Sequence, residues 1–303
     1  MPMVRNVIIL FLLCSLGGIF PAFAQAEASA SGKLPVVATF SILADLARNV
    51  GGDRIEVISL VGPNGDVHVY QPSPADAKNL DAAKLILVNG LGLEGWIDRL
   101  IKASGAKAPI VVATTGIAPR KMEEEGKIVQ DPHAWQSIPD AEVYVGNIRD
   151  GLIAVDPSGA EAYRANATAY LAKLRELDKE VRAALDKIPP KRREIITTHD
   201  AFGYFGAAYG FKFIAPEGVS TETEASAKDV AKIIRQIKAE KIPAVFLENV
   251  TDSRLAKRIA EESGATIGGA LFSDALSPPD GPASTYIDMM HNNVRQLTAA
   301  LAK

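Results

Sequence analysis

The sequence has little of the residue that most often staples or metallates a small exported protein: one cysteine among 303 residues. That residue, Cys14, sits inside an apolar run near the N-terminus, so a chain that has lost this run carries no thiol. Disulfides and thiolate metal sites are thereby excluded from the remainder. An excess of one charge is also missing. The 33 Lys+Arg stand against 36 Asp+Glu, a formal net charge of -3, and the basic footprint of a general nucleic-acid binder is absent. With 48% hydrophobic and 23% charged residues, the composition excludes a disordered or fibrous protein. The length allows two compact units, each able to bury a core without staples.

Export is the first positive reading. Arg5 precedes Val7 to Phe20, almost wholly apolar, and Pro21-Ala22-Phe23-Ala24-Gln25 follows. A positive start, a short apolar run and an A-x-A site are the parts of a secretory signal peptide, with cleavage expected after Ala24. The run is shorter than the about 18 residues of a membrane anchor, and Gly17, Gly18 and Pro21 interrupt it. Leu12-Leu13 before Cys14 are too large for a lipobox, so a free periplasmic protein, not a lipoprotein, is expected.

Two series of β-branched runs alternate with helical stretches. The first has strands at 35–40, 55–61, 85–89 and 110–114, the second at 195–198, 211–214, 244–247 and 265–271. Such βαβ series imply parallel sheets covered by helices. No motif repeats closely enough between them to call an internal duplication. Between the series, Asp156-Pro157 opens a stretch with Tyr163, Tyr170, Leu174, Leu177, Val181 and Leu185 at helical spacing, closed by Pro189-Pro190. The expected organisation is a signal peptide at 1–24, an α/β lobe at 33–150, a rigid linker helix at 156–188 and a second α/β lobe at 191–303. A long surface helix belonging to one domain is the alternative.

Three of the four histidines lie in turn-forming surroundings. His68 follows the strand ending at Val61, His133 sits in Asp131-Pro132-His133-Ala134-Trp135, and His199 follows the strand at 195–198. Ligands of open α/β sheets bind beyond the carboxyl ends of strands, where His68 and His199 would meet from opposite lobes. Asp274, after another strand, can point into the same crevice. Three imidazoles and a carboxylate suit a first-row divalent ion. Their spacing is not diagnostic, and each histidine alone is equally well a hydrogen-bonded loop residue. Asp200 is read either as a partner orienting an imidazole or as the cap of a helix from Ala201, and Asp66 is similarly open. Trp135 and Tyr70 are read as walls of the cleft, Glu123-Glu124-Glu125 as a solvated loop, and His291 as a helix residue without a role.

The segments Asp66-Val67-His68-Val69-Tyr70-Gln71-Pro72-Ser73-Pro74-Ala75-Asp76, Leu87 to Trp96, Asp131 to Trp135, Thr198 to Phe205 and Tyr286 to Met290 together resemble the metal-binding solute receptors of ABC importers, the TroA-like and ZnuA-like zinc/manganese group. The resemblance spans nearly all of the chain after the leader. It implies two α/β lobes bridged by one long rigid helix, with a metal in the interlobe cleft held by His68, His133, His199 and Asp274. It also implies one Zn(II) or Mn(II) as transported ligand, an inner-membrane ABC permease as partner, and a monomeric receptor that is not an enzyme. Histidine at the third ligand position, His199, goes in that group with zinc or mixed zinc/manganese binding. The stretch Lys121 to Gln130 departs from zinc-dedicated members, since it has acid and no histidine. The other classes are an adhesin-like metal-binding surface protein without transport and a secreted zinc hydrolase. The hydrolase lacks H-E-x-x-H and G-x-S-x-G.

Overall fold

The computed structural model describes residues 32–302, apart from 125, 126 and 224. The expected leader, its cleavage site and Cys14 lie outside the described residues.

Two four-stranded parallel sheets carry the fold. The first contains β1 (Leu34–Phe40), β2 (Ile55–Val61), β3 (Leu85–Val88) and β4 (Ile110–Val112), in the order β2-β1-β3-β4. An antiparallel hairpin follows, β5 (Lys121–Glu124) with β6 (Lys127–Gln130). The second sheet contains β7 (Glu194–Ile196), β8 (Lys212–Ile214), β9 (Ala244–Glu248) and β10 (Thr266–Leu271), in the order β10-β9-β7-β8. The central strands are apolar because both faces are covered: Val36, Val37, Leu85, Ile86, Leu87, Ala244 and Val245 are all fully or almost fully buried.

Helices α1 (Ser41–Gly51), α2 (Pro74–Ala82), α3 (Ile97–Ser104) and α4 (Ile138–Val155) accompany the first sheet, and α6 (Gly203–Tyr209), α7 (Ala227–Glu240), α8 (Ser253–Ser263) and α9 (Tyr286–Leu301) the second. Between the sheets in sequence lies α5 (Ala160–Leu185), with a 3-10 turn at Pro157–Gly159 before it. The helix is therefore shorter than the stretch 156–188 expected of it. Asp156 does not cap it: its carboxylate takes bonds from Arg54, Ser158 and Tyr163 instead. Tyr163, Tyr170, Leu174, Leu177, Val181 and Leu185 form its buried stripe, each such side chain contributing about 1.5–3 kcal/mol by leaving water. That stripe packs on α1 and α4 of the first half and on α9 of the second. One core runs from Val36 and Phe40 through Tyr144 and Leu174 to Phe246 and Leu271, and a smaller one lies under α7 and α8.

Two elements differ from the sequence reading. Helix α4 was not expected, because Pro139, Gly146 and Gly151 dilute its pattern, but Ser137 caps it by accepting from the amide of Asp140. Glu123 and Glu124 belong to a strand, not a loop, and Met122 pairs with Val129 opposite. Among the described residues no helix is long and apolar enough to cross a membrane.

Candidate metal centre

Each candidate side chain is delivered by a loop at the carboxyl end of a strand, and each loop is pinned. The His68 loop follows β2. Trp96 Nε1 donates to the carbonyl of Val67 at 2.8 Å, and Asp66 accepts from the amide of His68 at 2.9 Å. The other Asp66 oxygen accepts from Thr221 of the second half at 2.6 Å. Beyond the loop, Ser73 and Asp76 form a capping box at α2, and Tyr70 donates to Asp76.

His133 follows the hairpin. Asn89 holds the carbonyl of Pro132 at 2.9 Å, and one oxygen of Asp131 takes both the His133 amide, at 3.0 Å, and its Nδ1, at 2.8 Å. Gly203 makes room for this carboxylate, since a Cβ there would stand 2.4 Å from Asp131 Oδ2. His199 follows β7. Glu248, the last residue of β9, accepts from the amides of Thr198 and His199 at 2.7 and 2.9 Å. Its second oxygen lies 2.6 Å from His199 Nδ1, at an angle poor for a hydrogen bond, so the contact is one of opposite charge.

With Nδ1 of His133 and of His199 held by carboxylates, their Nε2 atoms face inward. His68 Nε2 and His133 Nε2 are 3.3 Å apart, His68 Nε2 is 3.3 Å from Asp274 Oδ2, and His199 Nε2 is 3.1 Å from the same oxygen. His133 Nε2 stands 3.6 Å from Asp274 Oδ1. One atom from each of the four residues lies within 4.8 Å of all the others. Bonds of about 2.0–2.1 Å in a tetrahedron give edges of about 3.4 Å, so the shorter separations are those of donors around one ion. His133, His199 and Asp274 are fully buried, and both Asp274 oxygens and His199 Nε2 have no hydrogen-bond partner. Buried polar atoms left without partners are costly, and a cation at their centre satisfies all of them at once.

The electrostatics agree. Burial works to raise the Asp274 carboxyl, but the neighbouring His199 and His133 outweigh it and hold the group well below its ordinary range. Burial works to lower the His199 imidazolium, but the charges of Glu248 and Asp274 hold it well above its ordinary value. Both shifts favour a protonated His199 ring facing an ionised Asp274.

The remaining sequence candidates fall outside this cluster. Asp200 neither caps α6, which begins at Gly203 without a side-chain cap, nor touches an imidazole nitrogen. His291 pairs with Glu180 on the surface at 3.0 Å. Trp135 is fully buried with its ring 5.2 Å from that of His133, whereas the Tyr70 ring packs at a tilt against Trp96. The orienting role considered for Asp200 belongs to Asp131 and Glu248. The signal for Glu248 was present in the sequence as an acid ending an apolar strand run.

Comparison with known proteins gives one consistent picture. A family model described as "Zinc-uptake complex component A periplasmic" matches residues 36–300. The iron-binding protein YfeA of Yersinia pestis is 37% identical over 94% of this chain and 93% of its own length. The manganese ABC transporter substrate-binding lipoprotein PsaA of Streptococcus pneumoniae is 31% identical over 100% of both. Among solved structures, the periplasmic zinc-binding protein TroA of Treponema pallidum superposes with a TM-score of 0.85 at 32% identity, covering 90% of this chain and 100% of that one.

Proposed function

Since the chain belongs to the family of periplasmic zinc-uptake component A proteins, the metal-binding solute receptors of ABC importers, we propose that His68, His133, His199 and Asp274 capture one divalent first-row ion for import. The observation that carries this reading is the convergence of three imidazole nitrogens and a carboxylate on one point, with His199 Nε2 and both Asp274 oxygens buried there without hydrogen-bond partners. The ion is cargo, handed to an inner-membrane permease. Four protein donors leave no open position for a catalytic water on a tetrahedral zinc, in keeping with a family of receptors and not enzymes.

Of Zn(II) and Mn(II), this donor set holds Zn(II) the more tightly, because Mn(II) stands lowest in the affinity order of first-row ions at a site of nitrogen and oxygen donors. Mn(II) is the second reading. Both Asp274 oxygens face imidazoles, which permits a bidentate carboxylate and a fifth donor, and PsaA is named for manganese. The protein reaches its site of action by export, with the leader removed after Ala24, and acts as a monomer between two lobes joined by α5.

The test is competitive titration of the metal-stripped protein with Zn(II) and Mn(II), beside His199→Ala. One ion per chain, lost in the variant and tighter for Zn(II), is expected. Absence of stoichiometric binding of either ion would overturn the reading.

A further inference from the structure

No group outside the cluster holds the Asp274 carboxylate, both of whose oxygens lack a hydrogen-bond partner, so its position depends on the backbone that carries it. From the second half, Asn293 holds Phe272 through two bonds of 2.8 Å, and Asn249 accepts from the amide of Ser273. From the first half, two donors converge on one atom: Trp135 Nε1 at 2.9 Å and Gln136 Nε2 at 2.6 Å both donate to the carbonyl of Ser273. These donors stand two and three residues after His133 in sequence, and the acceptor directly precedes Asp274. Gln136 is fully buried and its own amide oxygen has no partner, a cost that an apolar side chain of the same size would not carry. Its amide nitrogen is what the site retains.

We propose that Trp135 and Gln136 are positioning residues for metal capture, a forked clamp on the Ser273 carbonyl that ties the His133 ligand of one half to the Asp274 ligand of the other. The clamp touches no ion. It fixes the peptide from which Asp274 projects and makes the two ligands arrive in fixed register. Loosening it lets the carboxylate swing away from an otherwise intact set of imidazoles. The inference rests on the metal-receptor reading above.

The test is a cycle of variants titrated with Zn(II) against chelators of graded strength. Trp135→Phe keeps a ring beside Phe40 and His133 but removes the donor, and Gln136→Met keeps the volume but removes both amide groups. Each is expected to weaken Zn(II) binding by about 10- to 100-fold, the usual cost of losing an outer support of a ligand. Thermal unfolding of the metal-free variants checks folding, and Gln136→Met remains informative where Trp135→Phe does not fold.

The deciding readout is the background. In Asp274→Ala, which keeps three imidazoles, the clamp variants are expected to cost nothing further, whereas in Glu248→Gln, which keeps all four ligands, their full fold-loss persists. An equal loss in both backgrounds would mean general structural support and would overturn the proposal, as would unchanged affinity in the wild-type background. Failure of the unmodified protein to bind Zn(II) would instead overturn the metal-receptor reading itself.

Discussion

Numbered within each half, the strands of the two sheets run in the same order, 2-1-3-4, and each half buries a glutamate near the carboxyl end of its third strand. In the first half it is Glu94, which takes bonds from Thr39 Oγ1 and the amides of Asn89 and Gly90. In the second it is Glu248, which takes the amides of Thr198 and His199 and then faces the His199 ring. Both acids close loops at the point where the strand order reverses, where open α/β sheets place their ligands. Only one has an imidazole against it. Shared topology therefore supplies a braced crevice, and one side chain turns the brace into part of the proposed metal site.

The largest break in this comparison comes from the ligands themselves. His199→Ala and Asp274→Ala are expected to weaken metal binding well beyond the about 10- to 100-fold typical of a lost supporting carboxylate, with metal-free secondary structure unchanged by circular dichroism. A larger loss from His291→Ala, whose ring pairs with Glu180 on the surface, would overturn the assignment. Next come the two glutamates. Glu248→Gln should lower metal affinity by about 10- to 100-fold, since Nδ1 of His199 loses its charged partner. Glu94→Gln should leave affinity unchanged and cost about 1–3 kcal/mol of stability, because an amide cannot accept from both facing backbone N–H groups. Urea unfolding and metal titration of the pair would show the two effects crossing over.

Protons sharpen the same contrast. His199 has its folded pKa raised above its ordinary 6.5, so the stability contributed by the protonated ring is fully present below about 6.5 and lost as pH rises through the raised value. Asp274 has its folded pKa lowered below its ordinary 3.8, so its contribution is present above that value and lost as pH falls through the folded one. The metal-free protein is therefore expected to gain most from this pair between these ordinary values, and metal uptake at pH 7 should expel about one proton per ion. Calorimetry in buffers of different ionisation enthalpy measures that number, and a value of zero would mean a neutral His199 ring in the metal-free site.

The strands were legible because buried parallel strands read as short β-branched runs: the segment 55–61 was read with the bounds of β2 itself. Helix α5 was legible from its stripe but not at its start, because the Asp156 carboxylate bonds to the side chains of Arg54 and Tyr163 instead of the helix amides it was expected to cap. The four site residues could be nominated from loop position alone, but their convergence within 4.8 Å depends on packing between halves that no spacing encodes. The common strand order was invisible for the same reason. Topology is kept by the alternation of strands and helices, and the motifs on the loops differ between the halves.

A third buried acid, Asp45 of α1, lies where the halves meet and neither braces a ligand nor closes a loop. Its carboxylate accepts from the amide of Tyr286, the first residue of α9, at 2.9 Å. Burial raises its pKa to about 6, with Asp288 adding to the rise and the Tyr286 bond and Arg48 opposing it. The folded pKa exceeds the ordinary 3.8, so the folded state holds the proton longer and stability falls as pH rises from about 3.8 to about 6. Asn at this position keeps an oxygen for the Tyr286 amide and loses the charge. Asp45→Asn should therefore be more stable than wild type at pH 8, by about 1–2 kcal/mol, with the gain vanishing near pH 4. Metal affinity should not change. A loss of stability at pH 8 would show that the charge itself, through Arg48 or the N-terminus of α9, helps to hold the two halves together.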